Sequence, residues 1–594
     1  MMYLPVRSRP KKTDIIRSRN GCKSCRQRRT KCDENQPTCG TCARLGKTCE
    51  RFSEVVQFRV VTSSDPRTPK KLRGKDRPHA PLGLSHAEPG NVCCGSVDLI
   101  RSLQHTERDV FYLTYWEDQC LPSLHPILCT FTQSAAANAM LKNTMLALSA
   151  CNLSRLSPED RMRSESSHMG KFRPNLIHQT RSQLYYSAAI SRLINTHQLD
   201  DRRVAITVLA VIVILSYMES SMANFTAFYC HMDGISRFLT NLNDYVHDET
   251  VRGLLITWMQ SRLSVWWTRS YFSSVKLQRL LPSIPLPRIL QGQPKSLHER
   301  RVEIISIMCD SHYLSTACIL RHWDCDQSIE TVISEPSDEP GTDAVHHHLL
   351  LTQQVQRLDR WIQHLPSAEQ PLMDLTSTGD VTTPLRFISH DAALNYAYYL
   401  TSCILQCQNN FCTLPSICPT IARMEGRTTD SYICLLLRIA KASPPVHHLT
   451  KNTYTIGFTN LLLTALLRTT SVSLAIEIQN FVQSLADTLP TEEGGFPIYQ
   501  ALEVIKLINV RKMAGKDVVA VSQPVDDHGG EPKYQSYNSQ AIRDLFFHGR
   551  ERTGGALFTE RVVVCRPGKS NGGEWRWGRG RKRPVIYVSR SDKF

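Results

Sequence analysis

Six cysteines fall within 28 residues near the N-terminus, as two copies of the spacing C-x2-C-x6-C separated by six residues. A C-x-x-C pair holds two sulfurs on one turn, and thiolate zinc sites use this spacing. No histidine precedes His79, so mixed cysteine–histidine zinc fingers are excluded. This segment is therefore predicted to fold around metal. The six predicted ligands are Cys22, Cys25, Cys32, Cys39, Cys42 and Cys49.

The number of sulfurs limits how many metal ions the segment can hold. Two tetrahedral zinc ions with separate ligands would need eight sulfurs, so six are enough only if two of them bridge. The first cysteine of each copy, Cys22 and Cys39, is the natural bridge. The two predicted ligand sets are Cys22, Cys25, Cys32, Cys39 and Cys22, Cys39, Cys42, Cys49. One zinc with two spare thiols and a disulfide framework are the alternatives, although no apolar run of a secretory signal is visible.

The residues between the ligands are basic. Four cations lie among the six residues between Cys25 and Cys32, where a short helix stabilised by metal is predicted. Arginine and lysine donate to guanine O6 and N7 in the major groove, and also to phosphates. The second half carries two cations, which are predicted to contact phosphates. The predicted DNA contacts are Arg26, Arg28, Arg29, Lys31, Arg44 and Lys47; a merely solvated basic face is the alternative.

The segment resembles the fungal binuclear zinc cluster DNA-binding domain. The resemblance rests on the cysteine spacing, the basic stretch, Lys31 before the third cysteine and Pro37 before the fourth. It implies two bound zinc ions and CGG-type triplets in double-stranded DNA as the target, with Arg28, Arg29 and Lys31 at the DNA-reading positions. It also implies a nuclear regulator of RNA polymerase II genes that works with the transcription machinery. Most family members have lysine where this chain has Arg28 and Arg29.

The charge of the chain is concentrated at its two ends. The net charge is +17, yet residues 1–60 hold 15 Lys and Arg against 5 Asp and Glu, and residues 541–594 hold 13 against 5. The long middle of the chain is slightly acidic. A basic head beside a near-neutral body is typical of a DNA-binding protein that gains affinity from counterion release.

From about residue 100 the apolar residues follow helical periodicity, and clean β alternation is scarce. An all-α body is predicted. It resembles the fungal-specific transcription factor regulatory domain through motifs such as Ser216-Tyr217-Met218-Glu219 and His231-Met232-Asp233-Gly234. That resemblance implies regulation, with a small-molecule effector as a partner, and no catalytic residues. Predicted helices include Ser182–Leu193, Val204–Met218, Val251–Trp267, Val302–Leu320, Ala392–Cys407 and Leu461–Leu485.

The predicted fold is thus a small zinc-organised two-helix DNA-binding module followed by a large all-α regulatory domain, with a disordered linker and C-terminal tail. The predicted boundaries are 1–17 for a basic leader, 18–52 for the zinc cluster, 53–99 for a basic and proline-rich linker, 100–514 for the regulatory domain and 515–594 for the tail. No sustained leucine heptad occurs between residues 53 and 95. The sequence therefore predicts no coiled coil behind the cluster and leaves monomer and dimer open.

Other classes of protein find little support in the sequence. There is no Walker A loop, no H-E-x-x-H and no G-x-S-x-G, so no enzyme is predicted. The longest apolar run, Val204 to Met218, is shorter than the roughly 20 residues that span a bilayer and is predicted to be a core helix. The alternative functions are a zinc-dependent protein-interaction adaptor and an enzyme with an unrecognised site in the helical body.

Overall fold

The fold is described from a computed structural model of the chain. It describes residues 22–49 and 106–563 with gaps; the gaps include 50–105, 157–174, 197–200, 241–247, 271–291, 325–341, 373–382, 408–428 and 523–543, and shorter gaps occur within the described stretches. The predicted linker (53–99) and the basic leader (1–17) lie outside the described residues. The chain divides into two compact units, residues 1–92 and 93–594, each with its own core.

The second unit is largely helical, as predicted. Residues 106–115 are helical, and a π-helical turn follows at Trp116–Cys120. The further helices are Ile127–Ser134, Ala139–Leu156, Leu176–Ile194, Arg202–Ser221, Phe225–Thr240, Glu249–Ser270, Leu297–Asp324, Thr342–Gln363, His390–Gln406, Thr429–Ala442, Phe458–Arg468, Val472–Thr488 and Ile498–Met513.

Side-chain oxygens fix several helix starts. Asn175 accepts from the backbone N–H groups of Ile177 and His178, and Asp201 accepts from that of Arg203. These are N-cap contacts, which satisfy donors that a helix leaves unpaired at its first turn. The predicted helix Leu461–Leu485 is in fact two helices, because Thr469 adopts an extended backbone and the chain starts a new helix at Val472.

The Arg202–Ser221 helix lies in the core of the second unit. It is long and apolar enough to cross a membrane by length and composition, but 67% of its most apolar window is buried within the protein. Val211, Val213 and Leu215 are fully buried and belong to one large apolar cluster with the neighbouring helices. The prediction of a core helix is confirmed.

Strands occur where a disordered tail is predicted. Lys516–Ser522 (β3), Asp544–Glu551 (β4) and Leu557–Val563 (β5) form an antiparallel sheet in the order β3-β4-β5. A two-stranded hairpin, Glu492–Glu493 (β1) and Phe496–Pro497 (β2), precedes the last helix. The boundary predicted at residue 515 is wrong, because the apolar residues of β3 and β4 add to the core; residues 564–594 lie outside the described part of the chain.

Ion pairs and hydrogen bonds connect this sheet to the neighbouring helices. The guanidinium of Arg511 donates two hydrogen bonds to the carboxylate of Glu560, each 3.0 Å long. Arg552 donates to both oxygens of Asp517 and, at 2.7 Å, to the carbonyl of Thr470. Phe547 on β4 is fully buried. The sheet therefore belongs to the body and not to a tail.

Candidate metal centre and nucleic-acid interface

Two groups of four cysteines meet in the first unit. Cys22, Cys25, Cys32 and Cys39 form one group, and Cys22, Cys39, Cys42 and Cys49 form the other. Within each group all sulfurs lie within 4.8 Å of one another. The two groups share Cys22 and Cys39, which are the two cysteines predicted to bridge.

The sulfur spacing fits zinc and excludes disulfides. Four sulfurs bound at about 2.3 Å to a tetrahedral zinc lie about 3.8 Å apart. The Sγ–Sγ distance is 3.7 Å for Cys22–Cys39 and for Cys25–Cys39, and 3.5 Å for Cys22–Cys42. A disulfide would bring two sulfurs to about 2.05 Å, and all six cysteines are free. The donor set is that of two tetrahedral sites with two shared thiolates.

The pKa values of the shared pair, Cys22 and Cys39, shift in the opposite direction from those of Cys25 and Cys42. Backbone N–H groups of Cys25 and Cys42 donate toward Cys22 and Cys39 respectively and lower the pKa of each thiol. Burial raises the pKa of Cys25 to about 12, and burial also raises that of Cys42. Thiolate ligands need a nearby cation to stay ionised in such surroundings, and a bound zinc ion provides one.

A short helix, Gly40–Arg44, positions the second pair of ligands. Cys39 is its N-cap, and its sulfur accepts from the backbone N–H of Cys42 at 3.4 Å. Gly46 ends the turn at φ 55°, in the left-handed region where glycine is favoured. The chain then reverses, and Cys49 Sγ accepts from the backbone N–H of Cys39 at 3.3 Å.

Hydrogen bonds from residues other than the cysteines join the two C-x2-C-x6-C halves of the cluster. Both carboxylate oxygens of Asp33 accept from the backbone N–H of Gly40, at 3.1 and 2.9 Å. Ser24 Oγ donates to the carbonyl of Thr48 at 2.8 Å. Sequence analysis missed Asp33 and Ser24; an acidic residue directly after the third cysteine, ahead of a helix start, was the available signal for Asp33.

Three of the six predicted DNA contacts lie within the described residues. Arg28 is exposed and lies in a turn, and its backbone N–H donates to the carbonyl of Ser24 at 3.3 Å. Arg44 and Lys47 are also exposed. Arg26, Arg29 and Lys31 lie outside the described residues.

This geometry agrees with the family comparison, in which residues 20–57 match the model of the fungal Zn(2)-Cys(6) binuclear cluster domain. The segment is a fungal binuclear zinc cluster. Such a domain binds two zinc ions, and Cys22, Cys25, Cys32, Cys39, Cys42 and Cys49 are the residues placed to hold them. The family is one of transcription regulators and not of enzymes.

Curated proteins similar to the chain are fungal regulators. They include the sterol uptake control protein 2 of Candida albicans (43% identical over 49 residues) and the lysine biosynthesis regulatory protein LYS14 of Saccharomyces cerevisiae (62% over 32 residues). The transcriptional regulatory protein moc3 of Schizosaccharomyces pombe is 32% identical over 101 residues. These matches cover 8%, 5% and 16% of this chain and 7%, 4% and 20% of the respective relatives. No solved structure matches the chain significantly.

Proposed function

We propose that the protein is a nuclear, sequence-specific DNA-binding regulator of RNA polymerase II genes. The observation that carries this proposal is the pair of four-thiolate groups sharing Cys22 and Cys39, with exposed basic side chains on the same small unit. The arrangement of the metal ligands supports a zinc cluster. The exposed arginine and lysine side chains around it favour nucleic acid as its partner. The names of the similar proteins, which are regulators, agree with this function.

DNA recognition is assigned to the first half of the cluster. Arg28, on the turn after Cys25, presents a guanidinium to solvent that can donate two parallel hydrogen bonds to one guanine. Arg29 and Lys31, beside it in sequence, complete the proposed reading of a CGG-type triplet. The remaining contacts with the phosphates are assigned to Arg26, Arg44 and Lys47.

The helical body is assigned the regulatory part of the function. Its large continuous core gives it a fold of its own, separate from the cysteine cluster. We assign to it the contacts with the transcription machinery and the response to a small-molecule effector. Because no coiled coil is predicted behind the cluster, pairing of two chains, where it occurs, is assigned to the body as well.

The test compares a proposed base contact with a proposed phosphate contact. We expect Lys31→Ala to weaken binding to a CGG duplex by about 1–3 kcal/mol and to reduce the preference for CGG over a scrambled duplex. We expect Lys47→Ala to weaken both duplexes equally and to lower the slope of log affinity against log salt by about one. Fluorescence anisotropy at several salt concentrations measures both effects. A preference for CGG that Lys31→Ala leaves intact would contradict base reading.

The metal stoichiometry is tested separately. Native mass spectrometry of the zinc-loaded protein should find two zinc ions per chain, because six thiolates complete two tetrahedra only by sharing two ligands. Cys39→Ser removes a shared ligand and should reduce the loading of both sites, whereas Cys49→Ser should spare the site formed by Cys22, Cys25, Cys32 and Cys39. Equal losses in the two variants would contradict the sharing of Cys39.

A further inference from the structure

Two neighbouring helices of the body carry apolar side chains that face solvent. Helix 106–115 packs against the longer helix, Leu176–Ile194, through Tyr112, whose buried ring lies against His178 and Tyr185. Other large apolar side chains of these two helices have half or more of their surface exposed. They are Val110, Phe111, Leu176, Ile177, Leu184 and Ile194. An apolar surface of this kind on adjacent helices is typical of an interaction site.

On the longer helix, exposed residues recur every three or four positions. This outer stripe consists of Ile177, Thr180, Leu184, Ser187, Ser191 and Ile194, all of which are exposed. Gln179, Ser182 and Ala189 lie on the other side of the helix and are buried. Alternate spacing of three and four is that of a helix which packs lengthwise on another helix. The longer helix therefore has one face for the body and a second face that suits a further helix.

The outer stripe is complementary in size to a second copy of itself. Two copies can run antiparallel about a two-fold axis that passes midway along the stripe. Each opposed pair then takes one residue from each copy, and the pairs are Ile177–Ile194, Thr180–Ser191 and Leu184–Ser187. The large Leu184 thus meets a small serine on both sides of the axis, as knobs-into-holes packing requires. A two-fold interface uses the same patch on both subunits.

Helix 106–115 runs antiparallel to the longer helix. Near its start, Asp109 accepts from Tyr185 Oη at 2.7 Å. Further along, Tyr112 Oη shares a hydrogen bond of 2.7 Å with His178 Nδ1, which lies earlier on the longer helix. The start of the short helix, with the exposed Glu107, therefore lies beside the C-terminal half of the longer one.

The charges beside the outer stripe also complement a second copy. Arg181 lies in the N-terminal half of the longer helix, on the side of helix 106–115, because its guanidinium donates to Tyr112 Oη at 3.4 Å. A two-fold axis keeps this side in common and sets each N-terminal half against the partner's C-terminal half. Glu107 thereby comes opposite the partner's Arg181, and opposite charges face each other twice across the pair.

We propose that two copies of the protein pair through this surface, with their longer helices antiparallel. A second copy is favoured over an unrelated partner because both the sizes and the charges on the surface complement the surface itself. The proposal names a surface for the pairing that the proposed function assigns to the body, but the pairing itself requires no DNA.

Sedimentation equilibrium of the full-length, zinc-loaded protein without DNA tests the pairing. We expect a dimer with a Kd of about 10 μM or tighter. Leu184→Glu should weaken the association at least about tenfold, because it buries a charge beside the two-fold axis. Leu184 is 61% exposed, so this change leaves the core of the single chain intact.

The matched control is Leu349→Glu, the same change at a 55% exposed position on the helix Thr342–Gln363. It should pair like the wild type. A wild-type Kd weaker than about 10 μM would mean that something other than a second copy covers the surface, and would overturn the proposal. Normal pairing of Leu184→Glu would overturn it as well.

A charge exchange tests the antiparallel arrangement. Glu107→Arg and Arg181→Glu should each pair poorly with itself, because each sets like charges opposite one another. When the two folded variants are mixed, they should pair with each other, since both contacts then join an arginine to a glutamate. Only contacts between chains predict this recovery. Mixed variants that associate no better than either variant alone would contradict the arrangement.

Failure of this inference can be distinguished from failure of the proposed function. A wild-type protein that prefers a CGG duplex but remains a single chain would remove the inference and leave the DNA-binding role standing. A protein that pairs through this surface without any preference for CGG would support the inference and contradict the proposed function.

Discussion

The contact between Asp33 and Gly40 illustrates how single residues hold the two halves of the cluster together. A Cβ atom on Gly40 would lie 2.7 Å from Asp33 Oδ2, which is too close. We expect Gly40→Ala to push the carboxylate off the backbone N–H group and to cost about 1 kcal/mol, as the loss of a helix cap does. Competition with a zinc chelator measures this loss as weaker zinc retention.

A double-mutant cycle checks that Gly40→Ala acts through the carboxylate. Asp33→Ala removes the same hydrogen bonds from the other side, so the double variant should lose little more zinc affinity than either single variant. Thr38→Ala, at an exposed position in the same segment, serves as the control and should retain zinc normally. Fully additive losses would show that the two residues act independently.

The buried Lys512 should make the stability of the protein depend on pH. It is 1% exposed, donates to the carbonyl of Thr469 at 2.5 Å, and has Asp517 at 3.6 Å. Burial lowers its pKa to about 8 from an ordinary 10.5, despite the opposing effect of Asp517. Between these values the unfolded chain binds the proton and the folded protein does not, so this lysine makes the free energy of unfolding rise as pH rises.

Comparison with Lys512→Met separates the contribution of Lys512 to the free energy of unfolding from the contributions of all other ionisable groups, which the two proteins share. Methionine keeps the length of the side chain without its charge. Relative to this variant, the wild type should gain stability from pH 8 to pH 10, measured by urea unfolding at each pH. A difference in unfolding free energy that stays constant, or falls with rising pH, would show that Lys512 has no lowered pKa.

At the scale of elements, the β3-β4-β5 sheet can be tested as a part of the core. Phe547 on β4 is fully buried, whereas Leu557 at the start of β5 is 42% exposed. We expect Phe547→Ala to destabilise the protein by about 3–5 kcal/mol and Leu557→Ala to cost much less. Thermal or urea unfolding distinguishes the two. Similar small effects of both variants would mean that β4 does not pack on the helices.

The same sheet shows where sequence patterns fail. Long apolar periodicity predicts the core helices, such as Arg202–Ser221, to within a few residues, because burial of one face repeats every turn. The strand β4 reads Asp-Leu-Phe-Phe-His-Gly-Arg-Glu and lacks alternation, since His548 is buried among hydrogen-bond partners on both neighbouring strands. Such a strand depends on hydrogen-bond partners in the neighbouring strands, which the pattern of its own residues does not contain.

For the cysteine cluster too, some features follow from the local sequence, and others depend on contacts that form only in the folded protein. Ligand identity and the sharing of Cys22 and Cys39 follow from spacing and a count of sulfurs, which need no coordinates. The Asp33–Gly40 and Ser24–Thr48 contacts form only when the chain closes around the sulfurs. The ion pair between Arg155 and Glu492 joins residues more than 300 positions apart, so no local motif could predict it.

At the scale of the whole molecule, the two units should respond differently to loss of zinc. The buried cysteines form a core cluster of their own, whereas the large helical core contains none of the six ligands. We expect a zinc chelator to abolish CGG binding while most of the helical circular dichroism and the melting temperature of the body persist. Small metal-organised folds depend on their ions for stability, but a large apolar core does not.

Hydrogen exchange should quicken in residues 22–49 only; a body that melts or exchanges faster after chelation would show that its fold depends on the cluster.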